Sequence, residues 1–397
     1  MLAAFRVHSY RFQWPADLLT SWAFEMETLI LGWYVLVETE SVTLLAALGA
    51  LQYLGTLIAP LFGLAGDRMG RRAVLCTMRV TYVTLATAMM VFGLTGVLTP
   101  YHVFGVVLLM GLVRPSDIVM RNSLIGDTMP RANLMNALGF SRATSDSAKI
   151  AGALAGAGLL SSLGIGVTYV FVAGFYLASF ALTFGVSRVR PNHGAADSPA
   201  APGRDLRDGL AYAWKTPNVR MIIWMAFLVN LTAVPWTTGL IAYVARDIYL
   251  MDANGLGRLV AGYAGGALTG SLLLAWIGGT GRPALLMFGT ALVWYGLLAV
   301  FAQIRDPSMG AWLLVAIGVC HSTTMVTMGV SLIGWAETRF RGRVMGVRSF
   351  AVLGVPVGLL SAGPLIDAIG YSPTIEIYCV LGVVATIVLA VRNRRFI

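Results

Sequence analysis

The chain has 397 residues, of which 57% are hydrophobic and only 12% are charged. Because soluble domains carry about 25% charged residues, this composition excludes a soluble globular protein and favours a chain that crosses a membrane several times. The net charge of +10 requires no nucleic-acid partner, because an excess of basic residues in cytoplasmic loops explains it.

Apolar runs of about 20 residues recur along the chain, and each is long enough for one helix to cross a bilayer. The pattern predicts an all-α membrane protein with twelve transmembrane helices, near residues 16–37, 42–64, 73–96, 101–124, 138–162, 166–187, 219–241, 257–278, 284–303, 310–334, 346–368 and 372–391. An even number of spans places both termini on one side of the membrane.

The basic residues predict which side that is. One set of loops is rich in arginine, for example Arg71, Arg72 and Arg188, whereas the other set carries acidic residues such as Glu38 and Glu40. Because Lys and Arg accumulate in cytoplasmic loops, both termini and the long middle loop are predicted to be cytoplasmic.

The middle loop, residues 188–217, is the one long polar stretch of the sequence. Its first part, RPNHGAADSPAAPG, has the composition of a flexible linker. Its second part, RDLRDGLAYAWKTP, predicts a short amphipathic helix at the inner membrane surface. We therefore predict a six-helix bundle over residues 1–187, a cytoplasmic linker over 188–217 and a second six-helix bundle over 218–397, with a substrate site near the midplane between them.

Small residues recur at a spacing of four in several predicted spans, which places them on one helix face and predicts close contacts between helices. They are Gly152 and Gly156, then Gly262, Gly266 and Gly270, and finally Gly354 and Gly358. Tight helix packing explains them more simply than a role in ligand binding does.

A short polar segment separates the second and third predicted spans. Asp and Arg are costly in hydrocarbon, so this segment must lie at a water boundary. Its charged side chains can bridge neighbouring helix ends, although an ordinary positive-inside loop is the alternative. The residues concerned are Gly63, Gly66, Asp67, Arg68, Gly70, Arg71 and Arg72.

The order of these residues, with Leu75 after them, resembles the loop between spans two and three of the major facilitator superfamily. Further segments resemble the family's enterobactin and macrolide exporter branch, namely YRFQW (10–14), GWYVL (32–36), DIVMRN (117–122), LMNAL (134–138), VARD (244–247) and RGRVM (341–345). The resemblance implies the twelve-helix, two-bundle fold and proton-coupled export of a drug- or siderophore-like molecule.

One departure from the exporter pattern concerns the direction of transport. The Gly-Pro pair of the exporter motif in span five is Gly152-Ala153 here. An importer, or a lipid or metabolite carrier of the same fold, is therefore the alternative to an exporter. A non-transporting membrane sensor is a third hypothesis, for which an added soluble domain would be expected.

Acidic residues within span one are candidates for proton coupling, because ionisable groups inside a membrane are functional by default. A carboxyl group removed from water can take up a proton near neutral pH. Glu25 lies on a polar helical stripe and is predicted to face the cavity. Glu27, about 200° further around the helix, is equally well explained as a helix-contact residue, and Asp17 is predicted to be structural.

Span four places Arg114, Asp117 and Arg121 on one face. Arg114 is the deepest; it either holds Glu25 ionised or binds an anionic substrate, or it pairs with Asp117. Asp117 and Arg121 resemble the family's charge relay, in which Arg71 with Asp67 and either Asp117 or Asp127 latches the inner gate.

Span five carries Arg142, Asp146 and Lys149 at helical spacing, which predicts mutual pairing near the cytoplasmic end; Lys149 reaching an anionic ligand is the alternative. Arg341 and Arg343 lie in the loop after span ten, which corresponds to the loop after span four in the first half. We assign all of these residues except Arg142 to gating.

The second half offers fewer polar candidates for the cavity. Asn230 and His321 are the main ones, and His321 either relays protons or is simply hydrogen-bonded. The sequence contains no catalytic set, no phosphate-binding loop and no metal-ligand spacing, so we expect neither an enzyme nor a cofactor nor a metal. We predict a monomeric carrier of the bacterial inner membrane whose partners are protons, a small molecule and the lipid bilayer.

Overall fold

The computed structural model describes residues 2–187, 202–277, 282–337 and 340–396. Within these ranges the chain is helical and has no β-strand. The α-helices are α1 His8–Thr39, α2 Val42–Leu51, α3 Ala59–Met69, α4 Arg71–Thr95, α5 Pro100–Thr128, α6 Arg131–Thr183, α7 Pro202–Lys215, α8 Pro217–Thr232, α9 Val234–Thr238, α10 Ile241–Tyr243, α11 Ala253–Ile277, α12 Pro283–Gln303, α13 Pro307–Trp335, α14 Arg341–Phe350, α15 Gly354–Ile369 and α16 Tyr371–Arg392.

Helix ends coincide with residues that favour them. Gly70 has φ +85° and joins α3 to α4, in a backbone conformation that residues with a side chain rarely adopt. Ser41 accepts a hydrogen bond from the backbone N–H of Leu44 at the start of α2, and Asp306 does the same for Met309 at the start of α13.

Nine helical segments of the described residues are long and apolar enough to cross a membrane. They are Val42–Gly66, Arg71–Thr95, Pro100–Thr128, Asn136–Thr183, Ala253–Ile277, Pro283–Gln303, Pro307–Trp335, Gly342–Ile369 and Tyr371–Arg392. The all-helical class is therefore confirmed for the described residues, and the nine segments fit a chain that crosses a membrane several times. The count of twelve and the side of the termini stay predictions. Gly164, with φ +73°, bends α6 between the two spans that the sequence predicts there.

The chain folds into two compact units. The first unit is formed by the described residues within Met1–Glu40, Leu54–Pro199 and Asp252–Gly257. The second unit is formed by those within Ser41–Tyr53, Ala200–Met251 and Arg258–Ile397. Helix α7 occupies the segment where the sequence predicts a short helix, and the predicted division at the linker stays a prediction.

In the first unit, α1 packs closely against α6. A β-carbon placed on Gly152 would lie 2.7 Å from the Glu25 β-carbon, and one on Gly156 would lie 3.0 Å from the Met26 α-carbon. The helix contact that the spacing of these two glycines predicts is therefore present in the structure, and the small residues let the two backbones approach.

A second close approach in the first unit lies between α4 and α6. A β-carbon on Gly166 would lie 2.7 Å from the Gly93 carbonyl carbon. We expect Gly166→Ala to lower the unfolding free energy by about 1–3 kcal/mol through overpacking. Gly174→Ala is the matched control, because a β-carbon there meets open space on the same helix.

Equilibrium unfolding in mixed detergent micelles measures this difference. Equal stability of the two variants would show that the α4–α6 contact relaxes without cost.

In the second unit, glycines bring α11 and α13 together. A β-carbon on Gly266 would lie 2.0 Å from the Val315 carbonyl oxygen, and one on Gly318 would lie 2.2 Å from the Tyr263 carbonyl oxygen. This approach places Tyr263 of α11 beside His321 of α13.

Candidate functional site

Glu27 of α1 is a buried carboxyl group in the first unit, with only 3% of the residue exposed. It accepts hydrogen bonds from the hydroxyls of Tyr169 (3.2 Å) and Tyr176 (3.0 Å), both on α6. A buried carboxylate needs such donors. A phenol hydroxyl also accepts hydrogen bonds, so the same pair can accept the proton of a neutral carboxyl group. The surroundings of Glu27 therefore suit both of its protonation states.

Arg114 of α5 contacts α1 next to Glu27. Its guanidinium donates to the Thr28 hydroxyl at 2.8 Å and to the Phe24 carbonyl oxygen at 3.1 Å. It also lies over the Phe24 ring, 4.4 Å from the ring centroid. The guanidinium interacts electrostatically with Glu27. Arg114 is thus held on α1, where its positive charge acts on the buried carboxyl group.

Glu25 is half-buried, in contrast to Glu27. Its β-carbon lies near Gly152, in the part of α6 before the bend, whereas the tyrosines that contact Glu27 follow the bend. The two glutamates of α1 therefore contact different parts of α6. The prediction that Glu25 faces the substrate stays a prediction.

A cluster of four buried charges links α1, α4 and α5. Asp17 forms an ion pair with Arg79 and lies 3.6 Å from the Nε of Arg121, which pairs in turn with Asp117. Arg121 also donates to the Ser21 hydroxyl at 2.8 Å, and Arg79 to the Ser179 carbonyl oxygen at 3.2 Å. The two acids balance the two bases, which makes their burial possible.

Arg79 is not among the residues predicted above, although an arginine inside an apolar run is itself a signal of a functional or paired charge. The sequence leaves open whether Arg71 pairs with Asp117 or Asp127. In the structure, Arg71 forms an ion pair with Asp127, and Asp117 forms one with Arg121. The side chain of Asp67 lies outside the described residues.

The other residues of the polar segment occupy the junction of α3 and α4. Arg72 donates to the carbonyl oxygens of Thr183 (3.2 Å) and Phe184 (2.6 Å), so it caps the C-terminal end of α6. A β-carbon on Gly66 would lie 3.2 Å from the Met120 sulfur, whereas one on Gly63 meets open space. Arg68 is exposed.

On α6, Arg142 pairs with Asp146 at 3.2 Å, and Lys149 is exposed. In the second unit, Arg343 lies 3.7 Å from Asp208 of α7. The side chain of Arg341 lies outside the described residues.

The polar candidates of the second unit differ in their contacts. The Asn230 amide donates to the Ala226 carbonyl oxygen of its own helix at 2.8 Å. The Nδ1 of His321 lies 2.8 Å from the Tyr263 hydroxyl, and the His321 ring centroid lies 4.9 Å from that of Trp294. The structure therefore places His321 in an aromatic and hydroxyl-lined setting.

The comparisons with known proteins agree with a membrane carrier. The Multidrug efflux pump Tap of Mycobacterium tuberculosis is 25% identical over 286 residues, which cover 70% of this chain and 67% of Tap. A mutant of the nucleoside transporter NupG shares the fold with a TM-score of 0.78 at 13% identity, covering 97% of this chain and 99% of that one.

A bacterial homologue of the human lysosomal transporter Spinster has a TM-score of 0.72 at 15% identity, covering 98% of each chain. The family model of the Major Facilitator Superfamily matches residues 17–249, more than half of the sequence. The chain therefore belongs to the Major Facilitator Superfamily, and it is a transporter and not an enzyme.

Proposed function

We propose that this transporter exports an amphiphilic small molecule across a bacterial inner membrane in exchange for protons. It would work by alternating access of the rocker-switch type, as a monomer with twelve spans and cytoplasmic termini. The similarity to Tap supports export. The excess of arginine in one set of loops supports the orientation.

The observation that carries proton coupling is the setting of Glu27. Its carboxyl group is buried, it has two tyrosine hydroxyls as partners, and the Arg114 charge acts on it. The ionised form gains from Arg114 and the hydroxyl donors, whereas burial favours the neutral form. A reversible proton site requires both influences, since either one alone would fix a single protonation state. Glu25, half-buried on the same helix, would contact the substrate.

Two of the gating residues of the proposal, Arg71 and Arg72, lie at a helix end. Arg71 with Asp127, and Arg72 on the end of α6, hold the start of α4 against the ends of α5 and α6. Ion pairs of this kind at exposed positions are weak, about 0–1 kcal/mol each. A weak latch can open and close during a transport cycle, which is why we assign these residues to gating and not to substrate binding.

Transport by purified protein in liposomes tests the proposal, with ethidium as a fluorescent amphiphilic cation. When a proton gradient is imposed, we expect ethidium to move uphill, opposite to the protons, in molecules oriented with their termini on the ethidium side. Dissipating the gradient should stop this movement. Uphill movement that persists without the gradient would contradict proton coupling, and movement of ethidium together with protons would favour the importer alternative.

A further inference from the structure

The second unit contains a continuous chain of hydrogen bonds that joins α13 to α9. The Thr237 hydroxyl of α9 donates to the Tyr263 hydroxyl oxygen at 3.2 Å. The Tyr263 hydroxyl lies 2.8 Å from the Nδ1 of His321. Because the Tyr263 oxygen already accepts from Thr237, its own hydrogen is available for Nδ1, so neutral His321 carries its proton on Nε2.

The same chain has a second complete arrangement. The Thr237 hydroxyl lies 3.2 Å from the Val234 carbonyl oxygen, which offers it another acceptor. If His321 is protonated, Nδ1–H donates to Tyr263, Tyr263 donates to Thr237, and Thr237 donates to Val234. The Tyr263 hydroxyl then both donates and accepts in either state, and only the Thr237 hydroxyl changes its acceptor, from Tyr263 to Val234, when protonation reverses the chain.

Two aromatic rings lie beside the His321 imidazole. The Tyr263 ring is nearly parallel to the imidazole, 5.6 Å between centroids, and the Trp294 ring lies 4.9 Å away. Aromatic faces attract a cation. Among the titratable groups of the described residues, Tyr263 contacts His321 directly, Tyr53 interacts electrostatically with Tyr263, and Cys320 precedes His321 on α13.

The far end of the chain lies in a stretch of broken helix. Helix α8 ends at Thr232, the short helices α9 and α10 follow, and residues Val244–Ile248 form a π-helix. Interrupted and π-helical segments within membrane spans mark sites that move or bind. The Val234 carbonyl oxygen stays bonded to the Thr238 hydroxyl at 2.9 Å, so the Thr237 hydroxyl is the variable contact.

We propose that His321, Tyr263 and Thr237 form a second proton-binding site, in the second unit, whose protonation reverses the hydrogen-bond chain and changes how α9 is held. Proton binding here does not depend on Glu27. Only the use of this site in transport rests on the proposed function.

Nitrogen-15 NMR of the full-length protein with labelled histidine tests the resting state of the chain. The His321→Gln spectrum identifies the His321 signals among those of the four histidines. Near neutral pH we expect the Nε2–H tautomer to dominate about tenfold, the effect of one ordinary hydrogen bond. Tyr263→Phe should remove this dominance. Tyr295→Phe, which deletes a buried hydroxyl bonded to Thr232, should leave it unchanged.

Amide hydrogen exchange of residues 232–248 tests the reversal of the hydrogen-bond chain. The measured rates are corrected for the intrinsic effect of pH on amide exchange. We expect the protection of this segment to change between about pH 8 and about pH 5.5, either side of the usual histidine titration. Thr237→Val should abolish the change, whereas Thr238→Val, its neighbour on α9, should retain it.

A dominant Nδ1–H tautomer in the wild-type protein would overturn the proposal. So would an undiminished exchange response in Thr237→Val. Both measurements are made without substrate or gradient, so they stand even if transport proves independent of protons.

Discussion

Replacing Arg79 by methionine is expected to lower the unfolding free energy by about 3–5 kcal/mol, because removing one partner of a buried ion pair leaves the other charge uncompensated. The charge left behind is that of Asp17, which is 4% exposed. Arg121 compensates it only in part, at 3.6 Å and already paired with Asp117. Arg79→Met also removes a hydrogen bond to the Ser179 carbonyl oxygen.

Equilibrium unfolding of the purified protein in mixed micelles measures this loss. The double variant Asp17→Asn, Arg79→Met should recover part of the stability, since it removes the uncompensated charge as well. Arg68→Met is the control, because Arg68 is exposed on α3. If Arg79→Met were as stable as Arg68→Met, the charge cluster would contribute nothing to the fold.

The second large effect is expected for Glu27→Gln, which cannot gain or lose a proton but keeps the shape of the side chain. The amide still pairs with the hydroxyls of Tyr169 and Tyr176, so folding should be retained. We expect the stimulation of ethidium transport by a proton gradient to fall about tenfold or more, within the usual range of coupling between two ligands.

Two control variants separate coupling from other effects. Glu38→Gln removes an exposed carboxyl group near the end of α1 and should leave the gradient response unchanged. Glu25→Gln should alter ethidium affinity while the gradient response remains. A Glu27→Gln protein that responds to the gradient like the wild type would show that coupling lies elsewhere.

Much of the fold follows from the sequence, because its signals are local. Apolar runs of span length predict the long helices, and the spacing of Gly152 and Gly156 predicts the face of α6 that contacts α1. The pairing of Arg142 with Asp146 is also local, since both lie one turn apart on one helix. Local signals cannot predict how the helices are arranged in space. The family resemblance, confirmed by the match over residues 17–249, supplies that arrangement.

The candidate sites depend on contacts between distant parts of the chain. Tyr169 and Tyr176 lie 142 and 149 positions from Glu27, and no periodicity relates them to it. The polar stripe on α1 favours Glu25 as the cavity-facing residue because such a stripe describes one helix in isolation. The burial of Glu27 depends on its contacts with α6, which the stripe does not describe. Arg79 lies in a predicted span, but its partner Asp17 is 62 positions away, so the sequence around Arg79 does not predict the ion pair.

The central claim is that Glu27 is the carboxyl group that binds and releases the transported proton. Infrared difference spectroscopy of the purified protein, recorded as the pH is lowered, tests it most directly. Among the carbonyl stretches of protonated carboxyl groups that appear, we predict one component that is present in the wild type and in Glu25→Gln and missing in Glu27→Gln. The same band, undiminished in Glu27→Gln, would contradict the account.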